Sequence, residues 1–366
     1  MLATFLIAAF LVVYVYIGYP LVLRIAVQLF SRPVRKGYCE PRVTLIVSAY
    51  NEEAVIGKKI ENTFALDYPS EKLEIIICSD GSTDSTDEIV RSYDGKVILH
   101  RVEGRRGKPE CQNQGAAIAS GDVLVFSDAN SMYDTAALRN LMQNFHDEKV
   151  GVVCGELRYK KNNKSDEGLY WKLERFLKEA ESVLGSCLGA NGAIYAVRKE
   201  LFHPLPPEAC SDFVEPFYAY DAGYRVVYEA TAFCTEVPGD NAEEFNRKQR
   251  IITNSLQSIY LIKKFLNPFR YGWYSLALWS HKMLRWYAFL FLIVAFIANL
   301  FLVGNFFFLT LLLLQVLFYV FAFIGIFSSF KLFSIPYYFI AVNLASFLAV
   351  VDTVVGRKVT SWEKVR

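Results

Sequence analysis

Acidic and amide side chains follow three apolar runs of this chain, and their types suit the binding of a divalent cation beside a diphosphate. The runs end in Asn51-Glu52-Glu53, in Asp80-Gly-Ser-Thr-Asp84 and in Asp128-Ala-Asn130. In open α/β sheets, ligands bind outside the carboxyl ends of the strands. Asp128 and Asn130 are separated by one residue, so their side-chain oxygens can face one hard cation. The alternative is a set of ordinary turns, because Asp, Asn and Asp-Gly are common turn formers.

Strands and helices alternate in the segment that carries these residues. The apolar runs predict strands at 42–51, 73–84, 96–102, 123–127 and 151–159, with helices at 52–66, 85–93, 109–119 and 164–184. This alternation is typical of a mostly parallel sheet covered by helices on its faces. The sequence therefore predicts a Rossmann-like α/β domain.

Composition and missing motifs exclude several functions. The formal net charge is +2, which gives no indication of nucleic-acid binding. The first strand is not followed by G-x-G-x-x-G, and the chain has no P-loop motif. Seven cysteines without a C-x-x-C pair and four scattered histidines indicate reduced thiols and no histidine-based metal site. What remains is a nucleotide site in which a metal, and not a glycine-rich turn, holds the diphosphate.

The two ends of the chain have the composition of membrane-spanning segments. Residues 2–23 carry no charge and are followed by four basic residues, Arg24, Arg32, Arg35 and Lys36. These charges place the N-terminus outside and the next domain in the cytoplasm. Uncharged runs at 286–303, 306–327 and 335–351 predict three more spans, and a re-entrant segment is an alternative for the last. Three crossings would put the tail outside, but its charges (Arg357, Lys358, Lys364 and Arg366) favour the inside.

The chain accordingly divides into five predicted parts. They are an anchor at 1–31, a catalytic domain at 40–245, amphipathic helices at 246–285, about three spans at 286–356 and a basic tail at 357–366. The apolar side of the amphipathic part could lie on the membrane surface or pack on the soluble domain. We expect a multi-pass protein of the inner cell membrane with its catalytic domain in the cytoplasm.

Four short motifs, in this order, resemble those of a known enzyme family. They are SAYNEE (48–53), DGSTD (80–84), GRRGK (104–108) and SDANS (127–131). The chain resembles the membrane-bound family 2 inverting glycosyltransferases, which have a GT-A fold, and is most similar to the branch of cellulose, hyaluronan and chitin synthases. The resemblance covers about residues 42–262 and extends to the flanking spans.

On the donor side, the resemblance implies a nucleotide sugar bound with Mg²⁺ or Mn²⁺. It places Tyr50, Glu52, Asp80, Lys108, Asp128 and Arg250 at the nucleotide. Within this set Asp80 contacts the base and Asp128 lies near the ribose and the diphosphate. The metal ligands are Asp128 and Asn130, and Asn130 replaces the second Asp of the family's D-x-D motif.

On the acceptor side, the resemblance implicates the segment 189–202, with Asn191 and Gly192, and implies that Asp212 is the general base. Ser211 replaces the acid that usually precedes this base. In RKQRI (247–251), Arg247 and Ile251 replace the Gln and Trp of Q-x-x-R-W, which leaves processive synthesis an open question.

Structural alternatives stay open for several of these residues. Asp212 could be a helix N-cap, Lys108 could be solvated, and Arg247 with Arg250 could form a solvated or lipid-facing charge run. For Tyr170 and Trp171, core packing is favoured over stacking on sugar rings.

The resemblance therefore implies a metal-dependent hexosyl- or N-acetylhexosaminyl-transferase. Its expected donor is a UDP-sugar, and its acceptor is a hydroxyl of a growing polysaccharide or of a lipid-linked glycan. Membrane lipids are expected partners, nucleic acid is not, and a homo-oligomer is an open alternative. The competing hypotheses are a polyprenyl-phosphate sugar transferase and a non-catalytic, nucleotide-binding membrane scaffold.

Overall fold

A single sheet forms the centre of the soluble part of the protein. The computed structural model describes residues 1–160, 168–328 and 330–357. The sheet contains eight strands: β1 (Val43–Ala49), β2 (Leu73–Asp80), β3 (Ile98–Val102), β4 (Val123–Asp128), β5 (Met132–Tyr133), β6 (Val150–Tyr159), β7 (Ile194–Arg198) and β8 (Arg225–Glu236). Their spatial order is β3-β2-β1-β4-β7-β6-β8-β5.

The first half of the sheet is parallel, as predicted. β3, β2, β1 and β4 run in one direction, and the register pairs Ser48 of β1 with Cys78 of β2 and with Asp128 of β4. The second half is mixed, because β7 is antiparallel to both β4 and β6, whereas β8 is parallel to β6. The α/β class with a mostly parallel sheet is therefore confirmed.

Helices cover both faces of the sheet, which explains why its strands are continuous apolar runs. All seven residues of β1 are buried. Successive side chains of a strand point to opposite faces. Leu45 accordingly packs in one core cluster with Ile60, and Ile46 packs in the other with Cys111. The helices around the sheet are Ile56–Phe64, Thr86–Arg91, Lys108–Ile118, Ala137–Met142, Gly168–Leu184, Ser211–Asp221 and Asn241–Gln257.

Three helices of the described chain are long and apolar enough to cross a membrane. They are Leu2–Phe30, Phe306–Ile324 and Lys331–Val355. Two further helices, Pro268–Trp286 and Ala288–Leu300, meet at an angle of 62° and together raise the number of candidate spans to four. We call these two the bent helix pair, and we call Lys331–Val355 the last helix.

The bend lies elsewhere than the sequence suggested. The run at 335–351, for which a re-entrant segment was the alternative, belongs to the continuous last helix, whereas the run at 286–303 is one arm of the bent helix pair. In the basic tail, the structure describes only Arg357, which forms an ion pair with Asp352. Lys358, Lys364 and Arg366 lie outside the described residues.

The amphipathic helix Asn241–Gln257 joins the domain that contains the sheet, called here the soluble domain, to the candidate membrane spans. Its Ile252 packs in one cluster with Phe213 of the soluble domain, Trp286 of the bent helix pair and Ala349 of the last helix. On the same helix, Gln249 donates a hydrogen bond of 2.6 Å to Asp352. The apolar side of this helix is therefore covered by protein.

Candidate active site

The carboxyl ends of β1 and β2 are tied together by side chains of the turns that follow them. Among the described residues, Asn51 is the only non-glycine residue with a positive φ, which is 53°. Its amide N–H donates to Ser82 Oγ at 3.1 Å, and its Oδ1 accepts from the N–H of Thr83 at 2.7 Å. Asn tolerates this left-handed conformation better than most residues. The acidic segments after β1 and β2 are thereby held side by side.

Asp80 positions the basic loop 104–107. Its two carboxylate oxygens accept from the backbone N–H groups of Arg106 at 2.7 Å and of Gly107 at 2.9 Å, and Asp80 is 1% exposed. The loop passes so close to β2 that a Cβ on Gly81 would lie 2.8 Å from the carbonyl oxygen of Gly104. As a result, the guanidinium of Arg105 lies over the ring of Tyr50, 4.2 Å from its centroid.

Glu52 lies in the same group of turns. Its backbone N–H donates to the hydroxyl of Thr86 at 2.7 Å, at the start of the helix Thr86–Arg91. Tyr50, Glu52 and Asp80 are therefore brought together around the ends of β1 and β2, as the sequence predicted.

Lys108 connects the predicted site residues at the strand ends to those of the segment 189–202. It is the first residue of the helix Lys108–Ile118, and its ammonium contacts Asp128 and also donates to the carbonyl oxygen of Gly192 at 2.9 Å. Burial alone would lower the pKa of Lys108, but the negative charges of Asp128 and Asp212 raise it. Lys108 is thus a fixed positive charge between two carboxylates and is not merely solvated.

Gly192 brings Lys108 and Asp212 close to each other. Its N–H donates to Oδ2 of Asp212 at 3.0 Å, while its carbonyl oxygen accepts from Lys108. A Cβ at this position would lie 3.0 Å from Nζ of Lys108 and 3.1 Å from Oδ2 of Asp212. An added Cβ would therefore force Lys108 and Asp212 to shift.

Asp212 lies in the first turn of the helix Ser211–Asp221. The exposed N–H groups of a helix N-terminus stabilise a carboxylate there. Cys210, not Asp212, is the N-cap residue, so the alternative of a capping Asp is wrong. The thiol of Cys210 approaches Oδ1 of Asp212 at 3.2 Å, and burial raises the pKa of this thiol well above its usual range, so it stays protonated.

Asp128 and Asn130 lie at the end of β4 and in the turn that follows it. Asn130 is exposed and the side chain of Asp128 is 36% exposed. Lys108 contacts Oδ1 of Asp128, whereas no described donor is bonded to Oδ2. In the described part of the chain, no three His, Cys, Asp or Glu side chains form a metal cluster. The two oxygens fit Mg²⁺ or Mn²⁺, because such ions commonly bind one or two protein ligands together with substrate phosphates.

A buried polar group behind this turn was missed by the sequence analysis. Lys59 is fully buried, donates to the carbonyl oxygen of Ser131 at 2.6 Å, and lies 3.9 Å from the centroid of the Tyr133 ring. The hydroxyl of Ser131 also contacts the carboxylate of Glu236. Burial lowers the pKa of Lys59 to about 8. Burial, followed by the charge of Asp128, raises the pKa of Glu236 to about 7. These contacts anchor the turn that presents Asn130.

A cavity of about 590 Å³ begins at Asp212 and extends toward the membrane helices. Its walls come from β6, from the helices Gly168–Leu184 and Asn241–Gln257, from the bent helix pair and from the last helix. The predicted residues Asn191, Asp212 and Arg247 line it, as do Tyr170 and Trp171. The two rings also pack against each other, and Tyr170 packs on Tyr338 of the last helix. The preference for core packing over stacking on sugar rings stays a prediction.

Of the predicted residues Arg247, Arg250 and Asn191, only Arg250 does not line this cavity. Arg247 contacts the hydroxyl of Tyr159, and burial, with the charge of Arg250 as a smaller cause, lowers its pKa to about 10. Arg250 is half-buried on the same helix but does not line the cavity. Asn191 donates to the carbonyl oxygen of Gly155 at 2.9 Å and accepts from Lys178 at 3.4 Å. Arg247 and Asn191 thus belong to the wall of the cavity.

Comparison with known proteins agrees with this geometry. Residues 44–203 match the family model described as "Glycosyl transferase family 2". The chain is 30% identical over 204 residues to the poly-β-1,6-N-acetyl-D-glucosamine synthase of Staphylococcus aureus, covering 52% of this chain and 49% of that protein. It is 34% identical over 125 residues to the probable glycosyltransferase YdaM of Bacillus subtilis, covering 32% of this chain and 30% of that protein. The chain spans at most about half the length of these curated relatives.

A solved structure resembles almost the whole chain. The mannosyltransferase PcManGT of Pyrobaculum calidifontis, in complex with GDP-Man and Mn²⁺, aligns with a TM-score of 0.74 at 22% identity. The alignment covers 97% of this chain and 100% of that one. This likeness shows that the two proteins share a fold, including the helices that flank the sheet.

Proposed function

We propose that the protein transfers a sugar, with inversion, from a nucleotide sugar to an acceptor hydroxyl. The match of residues 44–203 to the family 2 glycosyltransferase model supports this function. The acceptor belongs to a growing polysaccharide or a lipid-linked glycan. A UDP-linked hexose or N-acetylhexosamine is the donor to test first, because a relative is named as an N-acetylglucosamine polymer synthase. A GDP-sugar is the second donor, because the structural neighbour holds GDP-Man.

One observation carries the proposal: Lys108 and Asp212 meet at Gly192. Lys108 also contacts Asp128, and Asp212 faces the cavity. A positive charge for the leaving group and a carboxylate for the attacking group are thereby held within a few bonds of each other. Single displacement at an anomeric carbon needs these two groups on opposite sides of the reacting sugar.

In the proposed reaction, Asp212 accepts the proton of the acceptor hydroxyl while the oxygen attacks the anomeric carbon. General-base assistance of this kind is typically worth about 10²–10⁴-fold in rate. Lys108 stabilises the negative charge that develops on the nucleoside diphosphate as the glycosidic bond breaks. A divalent cation held by Asp128 and Asn130 would supply further positive charge beside that diphosphate.

The remaining donor-side residues are proposed to position the nucleotide. Asp80 holds the loop 104–107 and so places Arg105 over Tyr50, which leaves an aromatic and cationic surface for a nucleotide base. Glu52 stands beside these groups. Arg250 is proposed to act on the nucleotide through Arg247, because it does not line the cavity itself.

We also propose a multi-pass protein of the inner cell membrane with the catalytic domain in the cytoplasm. The candidate spans and the basic residues that follow residue 23 support this orientation. The division at 1–31, 40–245, 246–285, 286–356 and 357–366 is retained as part of this proposal.

A transfer assay tests the proposed function. The purified full-length protein, reconstituted in lipid nanodiscs, would be given radiolabelled UDP-Glc, UDP-GlcNAc, UDP-Gal and GDP-Man with Mn²⁺, together with bacterial membrane extract as acceptor. We expect one donor to label a lipid-soluble or polymeric product, and we expect EDTA to abolish labelling. Absence of labelling together with absence of metal-dependent UDP or GDP binding would instead favour the scaffold.

The Asp212→Asn variant separates the two enzymatic alternatives. A phosphate acceptor is already an anion and needs little help from a base, whereas a hydroxyl acceptor needs it. Transfer that survives Asp212→Asn but is lost in Asp128→Ala would identify a polyprenyl-phosphate sugar transferase and overturn the proposal.

A further inference from the structure

The cavity beside Asp212 has one wall in the soluble domain and one in the membrane part of the chain. Lys282 and Trp286 of the bent helix pair line it, as do Val342 and Ser346 of the last helix. Its volume of about 590 Å³ lies in the range of small-molecule sites. A molecule that reaches Asp212 from this side therefore passes between candidate membrane spans.

Most charged residues of the cavity wall neutralise each other. Glu156 pairs with Arg158 and Arg175, and Glu174 pairs with Arg285 at 2.7 Å. Glu174 and Glu181 also flank His281, at 3.2 Å and 2.8 Å. The positive charges of Arg285 and Lys282 overcome the effect of burial and hold the pKa of Glu174 well below its usual range. These pairs form a rigid frame around the cavity.

Two half-buried lysines of the wall, Lys178 and Lys282, are left without a carboxylate partner among the described residues, and a third, Lys172, is exposed. Within the described residues, no ion pair or hydrogen bond involves the ammonium of Lys282. In the part of the chain that the structure describes, Lys178 bonds only to neutral atoms, Oδ1 of Asn191 at 3.4 Å and Sγ of Cys154 at 3.9 Å. Burial would lower the pKa of Lys178, but nearby acidic groups raise it, so this lysine keeps its charge. A half-buried charge without a partner is costly unless a ligand supplies the opposite charge.

Lys178 is close to the reacting group as well. It bonds to Asn191, whose neighbour Gly192 donates to Asp212. The chain of contacts therefore leads from the proposed base to Lys178, and the cavity continues from there to Lys282 at the membrane helices.

We propose that Lys178 and Lys282 bind the phosphate or diphosphate of a lipid-linked acceptor, whose sugar hydroxyl reaches Asp212 and whose lipid chain leaves between the bent helix pair and the last helix. This inference rests on the proposed function and narrows its acceptor to an anionic lipid-linked sugar. The phosphate holds the acceptor in place, and the hydroxyl oxygen of the acceptor sugar forms the new glycosidic bond.

Binding of a short lipid diphosphate tests the inference without any sugar transfer. Full-length protein in phosphatidylcholine nanodiscs would be titrated with farnesyl diphosphate, farnesol and inorganic diphosphate in the presence of EDTA, which removes metal-dependent diphosphate binding at Asp128. We expect farnesyl diphosphate to bind more tightly than either of the other two. Lys178→Gln and Lys282→Gln should each weaken its binding about tenfold, the effect expected for losing one charged hydrogen bond.

Lys264→Gln is the matched control, because Lys264 is an exposed lysine that pairs with Asp221 and does not line the cavity. It should bind farnesyl diphosphate as the wild type does. Equal affinity of the wild type and both cavity variants would overturn the inference. Equal affinity for farnesol would overturn the role of charge, and equal affinity for inorganic diphosphate would overturn the role of the lipid.

The outcome is independent of the proposed function. A protein that transfers sugar but binds farnesyl diphosphate without regard to the two lysines would refute only this inference. If no nucleotide sugar is used at all, the proposed function fails, whatever the lipid titration shows. Thermal unfolding of each lysine variant would identify any loss that comes from misfolding.

Discussion

Lys108 and Asp212 bind opposite ends of one residue, since the ammonium of Lys108 contacts the carbonyl oxygen of Gly192 and the carboxylate of Asp212 contacts its N–H. The two side chains come from the first turns of different helices, Lys108–Ile118 and Ser211–Asp221. Both side chains bond to the backbone of Gly192, which therefore sets their separation.

Replacement of Gly192 should separate these two groups. In Gly192→Ala the new Cβ would meet Nζ of Lys108 at 3.0 Å and Oδ2 of Asp212 at 3.1 Å, so both must move. We expect kcat to fall about 10²-fold, the cost of a small misplacement in an active site. Gly185→Ala is the control, because nothing lies within 4 Å of its added Cβ. Steady-state kinetics of both variants would measure this, and equal rates would refute the role given to Gly192.

Asp212→Asn should remove transfer but leave nucleotide binding intact. Asn keeps the size of the side chain but does not accept a proton, so kcat should fall about 10²–10⁴-fold. Asp221→Asn provides the control on the same helix, where Asp221 is exposed and pairs with Lys264. Transfer would be followed with radiolabelled donor and binding by calorimetry. A parallel loss of nucleotide affinity would show that Asp212 belongs to the donor side.

Variants at Asp128 and Asn130 should change metal-dependent nucleotide binding. Loss of a residue that only supports a metal ligand typically weakens metal affinity about tenfold or more. Asp128→Ala removes a proposed ligand itself and should therefore weaken Mn²⁺-dependent nucleotide binding by at least this factor. Asn130→Asp should tighten Mn²⁺ binding, because a second carboxylate adds negative charge. Asp122→Ala, at the exposed start of the same strand segment, serves as the control. Calorimetric titration of UDP and GDP with Mn²⁺ would report each effect, and an unchanged Asp128→Ala would refute the metal site.

The stability of the protein should depend on pH through Glu236. Burial raises the pKa of this carboxyl from 4.5 to about 7, so the folded protein binds a proton that the unfolded chain has already released. Its stabilisation is therefore complete below pH 4.5 and is lost as the pH rises through 7, by up to about 3 kcal/mol in total. Glu236→Gln should flatten this dependence.

Chemical unfolding of the detergent-solubilised protein between pH 5 and 8 would measure it. Glu88→Gln, at an exposed position of the helix Thr86–Arg91, is the control and should keep the wild-type slope. The assignment is wrong if wild type and Glu236→Gln lose stability equally across this range.

The parallel half of the sheet was predictable because its strands are recognisable from short stretches of sequence. β1, β2 and β4 are continuous apolar runs, buried on both faces and closed by polar turns, and a parallel register brings Asp80 and Asp128 to the same edge. The sequence analysis did not predict β7 and β8. β7 has five residues and lies within the segment 189–202, which was interpreted only as part of the acceptor side. The alternation of polar and apolar residues at 229–232 of β8 was the sequence signal that could have revealed it.

The cavity was not predictable, because its wall depends on contacts between distant parts of the chain. The burial of Lys59 did have a local signal, because helical spacing places it on the same face as Ile56 and Ile60, whereas the exposed Lys58 lies off that face. By contrast, Tyr170 and Trp171 line the cavity together with Val342 and Ser346 of the last helix, and this contact between distant parts of the chain leaves no local signal.

The shared wall of this cavity sets an order of events during protein synthesis. The sheet and Asp212 leave the ribosome before the bent helix pair and the last helix do, yet Lys282, Val342 and Ser346 complete the cavity. A nascent chain that has already folded its soluble domain therefore still lacks part of the cavity wall. Under the proposed function, insertion of the final helices into the bilayer would be a maturation step, because assembly in the membrane and competence for sugar transfer would arise together.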